Sequence, residues 1–128
     1  MTVARMTWLY GVIASLLTLA TAAPAQDMGQ QWTWCVNKDK AFAADLQIGG
    51  CTAIIQAGRE SSENMAIAFI NRGNSYARKG QYDRAIQDYD QAIRLNPNYA
   101  NAFINRGHAY DRNGQRDRAI QDFDQAIR

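Results

Sequence analysis

Side chains able to do chemistry are scarce in this chain. It has 128 residues with one histidine, His108, and two cysteines, Cys35 and Cys51. Two Cys and one His do not fill a four-ligand structural zinc site unless a carboxylate joins them. No Ser, Thr or Cys nucleophile stands beside a recognisable base, so nucleophilic schemes find no partners. The acidic runs Asp83, Asp88, Asp90 and Asp117, Asp122, Asp124 are spaced along amphipathic stretches. They lack the alternating loop ligands and central Gly of a calcium loop. They read instead as solvated helix faces with ion pairs to Arg84, Arg94 and Arg118. No glycine-rich phosphate loop is present. The expectation is a protein that is not an enzyme and carries no metal or cofactor. A net charge of +2, from 14 basic and 12 acidic residues, also argues against a nucleic-acid-binding surface.

Two arginines stand out for a different reason. Arg72 and Arg106 sit on otherwise apolar helix faces, one residue before Gly73 and Gly107. A guanidinium placed there packs its stem and turns its fork to an acid. Asp88 and Asp122 are the expected partners, in structural ion pairs.

Both arginines belong to a duplication. Residues 64–94 and 98–128 align at an offset of 34, and 23 of the 31 pairs are identical. The eight differences are Met65/Tyr99, Ile67/Asn101, Asn74/His108, Ser75/Ala109, Ala77/Asp111, Lys79/Asn113, Tyr82/Arg116 and Tyr89/Phe123. A period of this length implies a solenoid unit that stacks on its copies. Each unit reads as two helices. Ala66, Phe69, Ile70, Gly73, Tyr76 and Ala77 recur at helical spacing, and so do Tyr82, Ala85, Ile86, Tyr89, Ala92, Ile93 and Leu95. Gly80 ends the first helix and Asn96-Pro97-Asn98 the second, with Asn98 expected to cap the helix that follows. Small Gly73 and Ala92 allow the backbones to approach where the helices cross.

The ordered set Phe69, Gly73, Tyr76, Ala85, Tyr89, Ala92 and Pro97, with Phe103, Gly107, Tyr110, Ala119, Phe123 and Ala126 in the second copy, resembles the tetratricopeptide repeat (TPR). Arg72 and Arg106 depart from the Leu that is frequent at that position in the family. The resemblance covers residues 64–128. It implies an all-α helix-turn-helix solenoid whose concave face, lined by the first helix of each repeat, binds a peptide or protein segment. The groove residues it implies are Ile67, Ile70, Asn74, Ala77 and Arg78, then Asn101, Ile104, His108, Asp111 and Arg112. Several of the eight differences fall among these, as expected of a repeat that keeps its core and varies its contact surface. Some family members clamp a C-terminal carboxylate with Lys and Asn; Ile70 stands where the Lys would be, which rejects that ligand.

Upstream, Asp45, Ile48, Cys51 and Ile55 match Asp83, Ile86, Tyr89 and Ile93 at an offset of 38. Residues 45–57 therefore read as the second helix of a degenerate repeat, with an extended linker from Gly58 to Glu63. Gly49-Gly50 weaken that helix by about 1 kcal/mol each relative to Ala. Residues 31–44, with Trp32, Trp34 and Phe42, form its partner segment.

The first 25 residues have their own pattern. Arg5 precedes an apolar run from Met6 to Ala20, and Ala23-Pro24-Ala25 follows. This is the order of a secretory signal peptide, with cleavage between Ala25 and Gln26. The run is shorter than the roughly 20 residues of a spanning anchor helix. Export to the periplasm or beyond makes a Cys35–Cys51 disulfide the expected state of the two thiols. The expected organisation is a signal peptide at 1–25, a disulfide-tied cap at 26–63, and repeats at 64–97 and 98–128. The expected function is an exported interaction scaffold with no membrane association once the signal is removed. The alternative is a structural or self-assembling element, or part of a longer array. Self-association is expected through an apolar stripe of Ile120, Phe123, Ala126 and Ile127.

Overall fold

The structure is a computed structural model, and it describes residues 27–128. The signal-peptide expectation, with its Ala25/Gln26 junction, lies outside them. The described residues are all-helical, and none of their helices is long and apolar enough to cross a membrane. Six α-helices follow one another as α1 (Met28–Val36), α2 (Ala44–Ala57), α3 (Ser62–Arg78), α4 (Tyr82–Leu95), α5 (Ala100–Arg112) and α6 (Arg116–Ala126). A short 3-10 turn, Lys38–Lys40, joins the first two.

The helices pair as three antiparallel hairpins, α1–α2, α3–α4 and α5–α6, and each hairpin packs on the next. Contacts run between neighbours in the sequence, as in a repeat stack. The cores follow the same order. Cys35, Cys51, Ile54 and Ala68 join the first hairpin to the second. Ala66, Ile70, Ala92 and Ala102 join the second to the third, and so do Ala85, Ile86, Tyr89 and Ala109 nearer the groove. This is the helix-turn-helix repeat solenoid expected from the sequence.

Local chemistry explains the boundaries. Asp27 caps α1 by accepting a hydrogen bond from the Gly29 N–H. Ser61 caps α3 in the same way through Asn64, so α3 starts at Ser62 and the linker shrinks to Gly58–Ser61. Gly80 and Gly114 adopt left-handed φ of 73° and 77°. The next N–H, from Gln81 or Gln115, reaches back to the carbonyl of Tyr76 or Tyr110 at 2.9 and 2.8 Å. That closure satisfies an end carbonyl and needs a residue without a Cβ.

Asn98 is not the cap of α5. Tyr99 takes that position without a side-chain bond, while Asn98 donates its own N–H to Asn96 Oδ1.

The expected disulfide is present between Cys35 on α1 and Cys51 on α2, whose Cα atoms are 4.6 Å apart. Gly50 makes that approach possible. A Cβ on it would lie 2.7 Å from the Gln31 carbonyl oxygen and 2.8 Å from Trp34 Cβ. Gly50 is thus a contact requirement as well as a weak helix former. Outside this contact, Trp32 donates its indole N–H to Glu60 at 2.9 Å. That bond, with a second from Asn64, holds the Glu60 carboxyl below the usual range.

Candidate functional site

The concave side of the stack holds a groove of about 670 Å³. Asn71, Asn74, Ala77 and Arg78 of α3 form one wall, and Asn105, His108, Ala109 and Arg112 of α5 the other. Tyr82 and Tyr89 of α4 line it from below, and Val36, Asn37, Lys40 and Gln47 close the end formed by the cap.

Of the groove residues expected from the sequence, Asn74, Ala77, Arg78, His108 and Arg112 line this space. Ile67, Ile70, Asn101, Ile104 and Asp111 do not. Ile70 is 7% exposed because it packs among Ala66, Ala92 and Ala102 between the repeats. Ile104 is 37% exposed. Asn101 and Asp111 are exposed outside the groove, and Ile67 is half-buried. The cap residues and the two tyrosines are not among the expected groove residues, and Asn71 and Asn105 enter the sequence reading only as candidates, with Asn74, for the rejected terminal-carboxylate clamp. The paired asparagines did carry a signal, since both copies place an amide two residues before the helix-crossing Gly.

One amide ties the two walls together. Asn74 Oδ1 accepts from the Tyr89 hydroxyl at 2.8 Å and from Asn105 Nδ2 at 3.0 Å. Burial, and then the negative charge of Asp88, push the Tyr89 hydroxyl far above its ordinary pKa, so it stays a proton donor. In the second copy the same two positions are His108 and Phe123, which meet edge to face at 5.1 Å between ring centroids. The 74/108 and 89/123 differences are therefore one coupled exchange: a hydrogen-bonded pair in one repeat, an aromatic pair in the next.

Two more differences answer to the cap. Gln47 is buried and donates to the Cys35 carbonyl at 2.7 Å. Its Oε1 accepts from Asn37 at 3.2 Å, from the Ser75 hydroxyl at 2.6 Å and from Arg78. Ser75 exists to meet Gln47; its counterpart Ala109 meets Ala85 instead. Lys79 pairs with Asp45, while its counterpart Asn113 donates to Asp83 at 2.8 Å. Repeat-to-repeat variation thus records internal fit at these four of the eight positions, which narrows its use as a sign of ligand contact.

On the convex side, Arg72 forks onto Asp88 at 2.7 and 2.8 Å, and Arg106 onto Asp122 at the same distances. The ion pairs read from the sequence are therefore formed. The third donor of each fork crosses to the preceding hairpin, Arg72 to Thr52 at 3.1 Å and Arg106 to Asp90 at 2.6 Å. Each guanidinium also lies over two rings, Phe69 and Tyr76 or Phe103 and Tyr110. The bond to Asp88 or Asp122 raises each guanidinium pKa against the opposing effect of burial. Arg84 and Arg118 do not pair with the acids as expected. They bond Gln81 and Gln115 and lie over Tyr76 and Tyr110. Arg94 is exposed and forms no ion pair among the described residues.

No group of three or more potential metal ligands occurs among the described residues. No buried side-chain donor or acceptor among them lacks a partner.

A family model described as TPR repeat matches residues 73–114. The second TPR of Spaghetti (RPAP3), solved bound to the HSP90 peptide SRMEEVD, is 27% identical. That match covers 78% of this chain and 94% of the other, with a TM-score of 0.64. MamA is 23% identical with a TM-score of 0.63; the match covers 79% of this chain and 58% of MamA's. A second MamA structure gives the same identity and score, with 55% of its chain covered. A search of curated proteins finds no match. The described fold is that of a TPR-like helical stack.

Proposed function

We propose that this chain is an exported TPR scaffold whose concave groove binds an extended peptide or protein segment, without catalysis. The observation that carries the reading is the groove itself. It is open, walled by the first helices of consecutive hairpins, and lined by amides and cations at repeating positions. Side-chain amides donate and accept at once, which suits the alternating N–H and C=O groups of an extended backbone. The Spaghetti domain, similar over nearly its whole length, was solved with a peptide bound. Export rests on the Arg5, apolar-run and Ala23-Pro24-Ala25 order, and the Cys35–Cys51 bridge suits an oxidising compartment.

A displayed peptide library selected on the purified protein tests the groove. Selected peptides should lose binding to an Asn71→Trp variant, which fills the groove, while the variant's melting curve stays that of the parent. Peptides that bind both proteins equally would place the site elsewhere.

A second reading, self-association, has its own observation. Ile120 of α6 is 53% exposed, whereas its counterpart Ile86 is 9% exposed beneath α5. Ile127 is 85% exposed. Phe123 and Ala126, from the same expected stripe, are half-buried against their own hairpin. Sedimentation over a range of concentrations separates this reading from a monomeric peptide binder.

A further inference from the structure

We propose that the groove takes an acidic, extended segment and holds it by side-chain carboxylates spaced three residues apart. This inference rests on the peptide-binding reading of the same groove and narrows it to one class of ligand. The protein outside residues 1–25 is nearly neutral, with 13 basic and 12 acidic residues. Its groove is not neutral. Lys40, Arg78 and Arg112 all line it, and no Asp or Glu does.

None of the three cations has a carboxylate partner among the described residues. Arg78 is steadied only by neutral acceptors, Gln47 Oε1 and Ser75 Oγ. The nearby acids are otherwise placed: Asp45 is paired with Lys79, and Asp111, outside the lining, faces Arg116 at 3.5 Å. Asp39, beside Lys40 in the chain, is exposed and also outside the lining. A concave surface carrying one sign of charge attracts the opposite sign and concentrates it.

The register follows from the repeat. Arg78 and Arg112 occupy the same position of consecutive repeats, on α3 and α5, which lie side by side with Asn105 bonded to Asn74 between them. Helices in contact lie about 8–10 Å apart. A chain extended as polyproline II rises about 3.1 Å per residue with three residues per turn, so three residues cover one such step and bring the next side chain back to the same face. Lys40, in the turn after α1, adds a third cation at the cap end of the same groove. Asn71, Asn74 and Asn105 line the same groove about one to two helical turns before the arginines, available to the ligand backbone. Recognition here needs no chain terminus, since Ile70, in place of a terminal-carboxylate anchor, is buried in the core.

The probe is a fluorescein-labelled octapeptide, amidated at its C-terminus, with Glu at its second, fifth and eighth positions among Ser and Ala. Its control has Gln at those three positions. Fluorescence anisotropy with the purified protein should show the Glu peptide binding at least about tenfold more tightly, a difference that closes as salt is raised. Arg112→Gln should weaken the Glu peptide about tenfold, as should Ala77→Asp, which adds a carboxylate to the groove lining. Ala77 is partly buried against Ala85, Ile86 and Tyr89, so its variant's melting curve is compared with the parent's before its affinity is read, and Arg112→Gln carries the test if that variant does not fold. Equal binding of the two peptides overturns the proposal. So does binding that requires a free C-terminal carboxylate, or displacement of the Glu peptide at lower concentration by an oligouridylate. If neither octapeptide binds but a neutral library peptide occupies the groove, the acidic inference fails and the peptide-binding reading stands. If no peptide of any composition binds, both fail.

Discussion

The exchange of Asn74 and Tyr89 for His108 and Phe123 shows how far a single side chain's identity is set by one neighbour. Tyr89 is 1% exposed, and Asn74 is the acceptor of its hydroxyl. Replacing Asn74 by Ala strands that hydroxyl and should cost about 1–3 kcal/mol. Replacing Tyr89 by Phe alone removes the donor and should cost about 1 kcal/mol. The double variant Asn74→His, Tyr89→Phe reproduces the pair already present in the second repeat. It should be more stable than the sum of its single variants implies, by about 1 kcal/mol in a denaturant double-mutant cycle. Strict additivity would show that the two positions vary independently. The glycines facing these rings differ for the same reason. An added Cβ meets the ring at 2.7 Å on Gly73 and at 2.6 Å on Gly107. The Tyr89 ring is buried and held by its hydroxyl, whereas Phe123 is half-buried and has no hydroxyl to hold it. Gly73→Ala should therefore destabilise by about 1–3 kcal/mol. Gly107→Ala should lose less, because a half-buried ring without a hydrogen bond can shift more readily and Ala favours the helix by about 1 kcal/mol.

At the level of helices, the offset of 38 proves to be more than a sequence pattern. Asp45 and Asp83 receive Lys79 and Asn113, Thr52 and Asp90 receive Arg72 and Arg106, and Gln47 and Ala85 face Ser75 and Ala109. Each pair of receivers is 38 residues apart, so α2 meets α3 in the register in which α4 meets α5. The fold was legible in the sequence because identical copies make periodicity easy to see. Gln47 was not legible, since a lone polar residue in a degenerate helix fits no repeat pattern until its partners are known. The cap's share of the groove was hidden with it, because Lys40 and Asn37 lie in a turn where three residues take left-handed φ. Two stability differences follow. Asp88→Asn removes the only carboxylate bonded to Arg72 and one of its two acceptor oxygens, and should cost up to about 3 kcal/mol in urea unfolding. Asp122→Asn leaves Arg106 paired with Asp90 and should cost clearly less; equal losses would mean that the inter-hairpin contact contributes nothing. Cys35–Cys51 closes a sequence separation of 16. Its reduction should lower stability by up to about 3 kcal/mol. It should open hydrogen exchange first in α1 and α2, and only then at Arg78, which Gln47 holds.

For the molecule as a whole, a stack of hairpins joined only through neighbours has a stability that varies along its length. The first hairpin is cross-linked and buries Cys35, Cys51 and Ile54 completely. The middle hairpin is covered on both sides, with Ala66, Ala68, Ala85, Ala92 and Tyr89 at 1% exposure or less. The third is covered on one side, and its α6 shows Ile120 and Ile127 to solvent where α4 presents Ile86 to α5. Amide exchange at low protein concentration should therefore be slowest in α3 and α4 and fastest in α6, with Arg106 forming the last strong tie to Asp90. Raising the concentration distinguishes the two fates of the α6 face. If the apolar face meets a second copy, protection in α6 should rise with concentration and sedimentation should show a dimer, because covering two isoleucines removes apolar area worth about 25 cal/mol per Å². Ile120→Lys with Ile127→Lys should then abolish both the dimer and the added protection, while the anisotropy signal of the groove peptide is unchanged. If protection in α6 and the sedimentation coefficient stay constant over the whole range, the α6 face does not meet a second copy, and the self-association reading falls.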